Sequence, residues 1–76
     1  MTEEMKFFLF LIERYANARG RATGDVLREW DEKGITEEIY GGYYRYHLER
    51  LENAYADIDS LAATGRHVDA LAAERN

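Results

Sequence analysis

The side chains whose types and spacing invite a chemical reading are His47 and His67, the tyrosines Tyr40, Tyr43, Tyr44, Tyr46 and Tyr55, the Asp57-Ile58-Asp59 triplet and the arginines Arg14, Arg19, Arg21 and Arg28. His47 is the most suggestive. At helical spacing it lies among Tyr40, Tyr43, Leu51 and Ile58, in the middle of an apolar face. General acid–base work by an imidazole requires a cleft and a second positioned group, and no sequence pattern identifies either. The favoured reading is a core histidine whose ring nitrogens meet a tyrosine hydroxyl or a backbone carbonyl. A small ligand-binding or catalytic domain centred on His47, with Tyr40 and Tyr43, is the alternative.

A metal centre built from His47, Asp57, Asp59 and His67 has little behind it. Its two histidines are too far apart in sequence for a common ligand spacing. Asp57-Ile58-Asp59 also lacks the glycine and the distant glutamate of a calcium loop. The aspartates are expected to cap a helix instead. Arg14, Arg19, Arg21 and Arg28, with Gly20 and Gly24, could hold a phosphate at the start of a helix. The glycines fit neither the P-loop nor the dinucleotide pattern, so solvated surface arginines are the better expectation. No catalytic residue, cofactor or metal is assigned.

The element that must position these groups is the stretch Met5 to Ala18, MKFFLFLIERYANA. On a helix Met5, Phe8, Leu9, Ile12, Tyr15 and Ala16 share one broad face, with Leu11 and Ala18 at its edge. Lys6, Glu13, Arg14 and Asn17 form a polar wedge opposite. Phe10 falls inside that wedge and Phe7 at its margin. Either the helix is covered on several sides, or Phe7 and Phe10 form an exposed patch for a second chain. The apolar run Phe7–Ile12 is far too short for the ~20 residues of a membrane span.

Thr2-Glu3-Glu4 reads as an N-cap with acidic residues at the positive end of the dipole, and Gly20 as the stop. Thr23 starts a second helix with Val26, Leu27 and Trp30 on its apolar face; Gly34 ends it. With Gly34 at C′, Trp30 and Ile35 are the pair that touches in a Schellman ending, which makes Trp30 a packing residue. Thr36-Glu37-Glu38 repeats the opening device. From Ile39 to Leu61 apolar residues follow at three- and four-residue intervals, so the naive reading is one long helix to about Ala63. Gly41-Gly42 weakens that helix, or lets another group approach closely. Asp57, Asp59 or Ser60 could each start a separate fourth helix. Tyr44 and Tyr46 point away from one another, so at least one is expected at the surface or an interface.

Seventy-six residues make one domain, and at that length only about 60% of the unfolded surface is buried. The chain has no cysteine, so neither a disulfide nor a thiolate metal site supplements the core. Oligomerisation is the remaining common remedy. A formal charge of -5 argues against generic nucleic-acid binding. The opening MTEEMK lacks the basic lead of a secretory signal, and a cytoplasmic location is expected.

Glu4-Met5-Lys6-Phe7-Phe8 with Ile12-Glu13, Thr23-Gly24-Asp25-Val26 running into Gly34-Ile35, Tyr43, His47 and Asp57-Ile58-Asp59 stand in an order and spacing that resembles a family of short bacterial proteins, domain of unknown function 3791. The resemblance covers most of Met1 to Leu61 and rests on the spacing of the set. It implies a small helical domain without an assigned activity, in the manner of accessory proteins encoded beside larger ones, some of those similar to ADP-ribosyltransferase-like toxins. In the family a Gly- or Ser-containing break tends to follow the matched histidine. Here that place holds Leu48-Glu49-Arg50-Leu51-Glu52, which reads as helix.

These observations predict an all-α domain of three or four helices packed around the N-terminal one, over residues 1–65, with 66–76 as a C-terminal extension. They predict a non-enzymatic module that binds a protein partner, itself included, or masks a larger protein as an antitoxin does. The interaction candidates are Phe7, Phe10, Tyr44 and Tyr46. Neither nucleic acid nor membrane is expected as a partner.

Overall fold

A computed structural model describes residues 1–68. Its order is α1 (Glu3–Ala18), α2 (Thr23–Lys33), α3 (Thr36–Tyr40), α4 (Tyr43–Tyr46) and α5 (Leu51–Thr64). There is no strand among the described residues. The fold is all-α, as the composition requires.

Local sequence sets the first two helices. The Thr2 hydroxyl oxygen accepts the Met5 N–H at 3.1 Å and caps α1. Gly20 has φ 65°, and the N–H groups of Gly20 and Arg21 reach back to the Asn17 and Ala16 carbonyls. Gly34, with φ 70°, ends α2 in the same way. Ile35 N–H donates to the Trp30 carbonyl at 2.9 Å and Gly34 N–H to that of Asp31 at 3.1 Å, the Schellman pair. Trp30 is fully buried, packed between Phe8 and Tyr15 at ring distances of 6.0 and 5.7 Å.

The core is Phe8, Leu11, Ile12, Tyr15 and Ala16 of α1 with Val26, Trp30, Ile35, Ile39, Tyr46, Ala54, Ile58 and Leu61. The buried stripe of α1 is centred nearer Leu11 than the hydropathy pattern places it, and Met5 and Leu9 are exposed. The reason is what packs on that flank. Tyr15 meets Tyr55 of α5 at 5.7 Å, and Phe7 meets Tyr43 of α4, also at 5.7 Å.

The long helix expected over residues 36–63 is three pieces, which makes five helices among the described residues where three or four were expected. One continuous helix of that span would run ~42 Å at 1.5 Å per residue and overhang α1, whose 16 residues make about 24 Å. Its apolar stripe would then have no partner at one end. The first break is at Gly41-Gly42. A Cβ on Gly42 would stand 2.6 Å from Cε2 of Tyr46, so it is the Tyr46 ring that needs the glycine. The second break falls at residues 47–50, where Arg50 is extended at φ -66° and ψ 146°. A break thus follows His47 without the glycine or serine that would have announced it. The Thr36 hydroxyl does not cap α3; it donates to the Asp31 carboxylate of α2.

Thr64 is the last residue of α5, and Gly65, at φ 76°, caps it. The body does not stop there. The Ser60 hydroxyl donates to the Arg66 carbonyl at 2.6 Å, and the reversed chain lays His67 and Val68 against α5. The C-terminal extension expected over residues 66–76 lies, after Val68, outside the described residues.

Candidate functional site

The break at Gly41-Gly42 turns α4 so that Tyr43 meets α1 at the surface and Tyr44 stands exposed beside it. Phe7 and Phe10, one turn apart on α1, have ring centroids 6.2 Å apart. Tyr43 meets the edge of Phe7, Tyr44 meets the edge of Tyr43 at 5.3 Å, and His47 stacks flat on Tyr43 at 4.1 Å and 7°. Phe7 and Tyr44 also meet the His47 ring, at 6.3 and 5.9 Å. Five rings thus form one continuous surface. Phe10 is 41% and Tyr44 75% exposed, and Leu48, next in sequence to His47, is 78% exposed. A shallow groove among them is lined by Glu3, Lys6, Phe7, Phe10, Tyr43 and His47.

The arrangement merges most of the two candidate sets. Phe7, Phe10 and Tyr44 from the interaction set lie beside His47 and Tyr43 from the alternative set. Phe7 is half-buried rather than open, its inner edge packed against the core. His47 is not the core residue expected; it is half-buried, with Nδ1 donating to the Tyr43 carbonyl. Tyr40 is elsewhere, half-buried against Phe8 at 5.6 Å. Tyr46 must be corrected. At 1% exposure it belongs to the core, and its hydroxyl donates to Asp57. The interruption of the helix resets the register, so the face that periodicity assigned to Tyr46 is not the one it occupies. Leu48 gives no sign of its exposure in the sequence, because Leu48-Glu49-Arg50-Leu51-Glu52 has the composition of a helix.

The chemistry available on this surface is recognition of apolar and aromatic area. Its charges are mixed: Lys6 pairs with Glu3 at 3.4 Å, and the Arg14 guanidinium sits 5.0 Å from the Phe10 ring centroid.

The remaining titratable candidates are engaged in holding the fold. Asp57 and Asp59 are not caps but mid-helix tertiary acceptors. Asp59 accepts from the Tyr15 hydroxyl and from Arg19, both at 2.6 Å, while Arg19 lies over the rings of Tyr15 and Tyr55. Burial, with the Asp59 carboxylate beside it, pushes the Tyr15 phenol up to about 12. Asp57 is bonded to Tyr46, His67 and the Val68 N–H. Burial would raise its carboxyl, but those bonds outweigh it and hold the group below the usual carboxylate range. His47 takes no part in either set, and among the described residues no cluster of His, Asp and Glu is arranged to hold a metal ion. The arginines around the first loop do not form an anion site: Arg21 pairs with Glu29 at 2.6 Å and Arg28 with Asp25 at 2.9 Å. Among the described residues no helix is long and apolar enough to cross a membrane.

No protein-family model, curated protein or solved structure matches this chain.

Proposed function

We propose that this chain is a non-enzymatic protein–protein interaction module, bacterial and cytoplasmic, that binds a protein partner through the aromatic surface of Phe7, Phe10, Tyr43 and Tyr44. The partner is a second copy of the chain or a larger protein that it accompanies. The observation that carries this reading is the continuity of the rings: an exposed Phe10 and an exposed Tyr44 are joined through Phe7 and Tyr43 into one patch. Contiguous apolar area of this kind marks interaction sites, and aromatic side chains dominate the energetics where partners meet. The resemblance to short accessory proteins points the same way.

The test compares the wild-type chain with a Phe10→Ser, Tyr44→Ser double variant, by sedimentation velocity across a concentration series and by co-purification from the native source. Loss of the dimer or of the co-purified protein, with an unchanged melting curve, supports the module. A wild-type chain that stays monomeric and recovers no protein partner ends it.

A second reading, a ligand site centred on His47, is favoured by that residue's place in the groove beside Tyr43. It predicts that His47→Ala abolishes uptake of a small aromatic ligand while partner binding persists. Ring proton shifts of His47 that do not move on adding such ligands would exclude it.

A further inference from the structure

His67 has a carboxylate at each ring nitrogen. Nδ1 lies 2.6 Å from Asp57 Oδ2 and Nε2 lies 2.6 Å from Glu38 Oε1. A neutral imidazole carries one N–H and one lone pair, so at these distances it would set a lone pair against a carboxylate. Only the imidazolium donates to both. The Val68 N–H donates to Asp57 Oδ1 at 2.8 Å, and the Tyr46 hydroxyl donates to Oδ2. Asp57 is the sole buried charged side chain among the described residues, and it joins His67 and Val68 to α5 while also accepting from Tyr46 of α4.

We infer that Glu38, His67 and Asp57 form a pH-gated latch, which holds His67 and Val68 on the helical body while His67 is an imidazolium and lets them go when the ring is neutral. The latch is separate from the aromatic surface and stands whether or not that surface binds a partner. The groups that face His67 are Glu38 from α3, Asp57 from α5 and, through the Asp57 carboxylate, Tyr46 from α4. The positive charge of Arg45, also on α4, opposes protonation, and Arg66 precedes the histidine on its own segment. Burial pulls the imidazole down, but the bonds to Glu38 and Asp57 outweigh it and the group is raised above its ordinary value. The sign follows. A raised histidine contributes its full holding free energy below the open-state value, ~6.5, and loses it as pH rises through the closed-state value.

The test is an NMR titration of the full chain from mildly acid to mildly alkaline pH, following the His67 ring and the exchange protection of the Val68 amide. The ring is expected to titrate above ~6.5. Val68 protection is expected to fall about tenfold for each pH unit between that value and the ring's own midpoint. Glu38→Gln, at an exposed position, lowers the midpoint without unfolding the chain, and His67→Gln makes Val68 protection independent of pH over this range. A ring that titrates at or below ~6.5, or a midpoint that Glu38→Gln leaves in place, overturns the latch.

Discussion

Asp57 and Asp59 flank the fully buried Ile58 on α5 and face opposite sides of the bundle. Residues two apart on a helix lie about 200° from each other, so one triplet serves three directions. Ile58 enters the core, Asp59 fastens α5 to Tyr15 of α1 and to Arg19 at its C-cap, and Asp57 fastens it to Tyr46 of α4 and to His67.

The two carboxylates differ in exposure, and removing them has unequal consequences. The Asp59 side chain is 47% exposed and that of Asp57 7%. Asp57→Ala leaves the Tyr46 hydroxyl and the Val68 N–H without their acceptor and is expected to cost ~3 kcal/mol or more, the range for breaking a buried charge pair. Asp59→Ala is expected to cost about 1 kcal/mol, since water replaces much of what is lost. Urea denaturation of both variants measures the difference, and equal costs would contradict this assignment.

Asp59 also reports on its neighbour. With the carboxylate present, the Tyr15 phenol is pushed up to about 12 by burial and by the adjacent charge. Asp59→Asn removes the charge and keeps the shape, so in a spectrophotometric titration of the tyrosines the Tyr15 phenol should ionise at lower pH than in the wild type.

Gly42 tests why the long helix is broken. Its φ is -83°, a value any residue adopts, so left-handed strain plays no part. Alanine has the better helix propensity by ~1 kcal/mol and would stabilise the chain if propensity decided. Its Cβ would instead stand 2.6 Å from the Tyr46 ring, which is fully buried and cannot swing away. Gly42→Ala is therefore expected to destabilise by about 1–3 kcal/mol, as overpacking does. Thermal melts decide the sign.

These features explain what could be read in advance. The ends of α1 and α2 were legible down to Trp30 and Ile35, because a Schellman ending depends on a glycine and its neighbours alone. The all-α class was legible from composition. The division of residues 36–63 was not, since α3, α4 and α5 each keep helical spacing and no proline interrupts them; the break at 47–50 carries no turn residue at all. The role of Gly42 depends on where Tyr46 packs. The Asp57–His67 pairing was hidden for a different reason. It exists only once Gly65 turns the chain back on α5, and an aspartate in a helical stretch looks locally like a cap.

Stability should fall away on both sides of mildly acid to neutral pH. Hydrogen bonds hold Asp57 low against its burial, so its contribution is present above the ordinary ~3.9 and is lost as pH falls through the lowered value. His67, raised by Glu38 and Asp57 against its own burial, loses its contribution as pH rises through the raised value. Urea midpoints across pH should be flattened by His67→Gln on the alkaline side and by Asp57→Asn on the acid side. A His67→Gln profile identical to wild type would deny the histidine this role.

The aromatic surface makes the last prediction, and stability and binding should separate there. Phe10 lies in the polar wedge of α1, outside the core, and touches Phe7 and Arg14. Tyr44 is three-quarters exposed. Replacing either with serine removes little buried area, so each substitution should change the unfolding free energy by no more than about 0.5 kcal/mol, the usual range for surface positions. Phe7 is different. Its ring packs against the core and the edge of Tyr43, so Phe7→Ala should cost ~3 kcal/mol, the lower end of the range for buried aromatic truncations. If the patch binds a partner, Phe10→Ser and Tyr44→Ser weaken that binding by tenfold or more, the loss of ~1.4 kcal/mol or more expected of an aromatic anchor. Denaturation curves and binding isotherms on the same two variants decide between the roles. Variants that lose stability and keep the partner would place these rings in the fold and not in recognition.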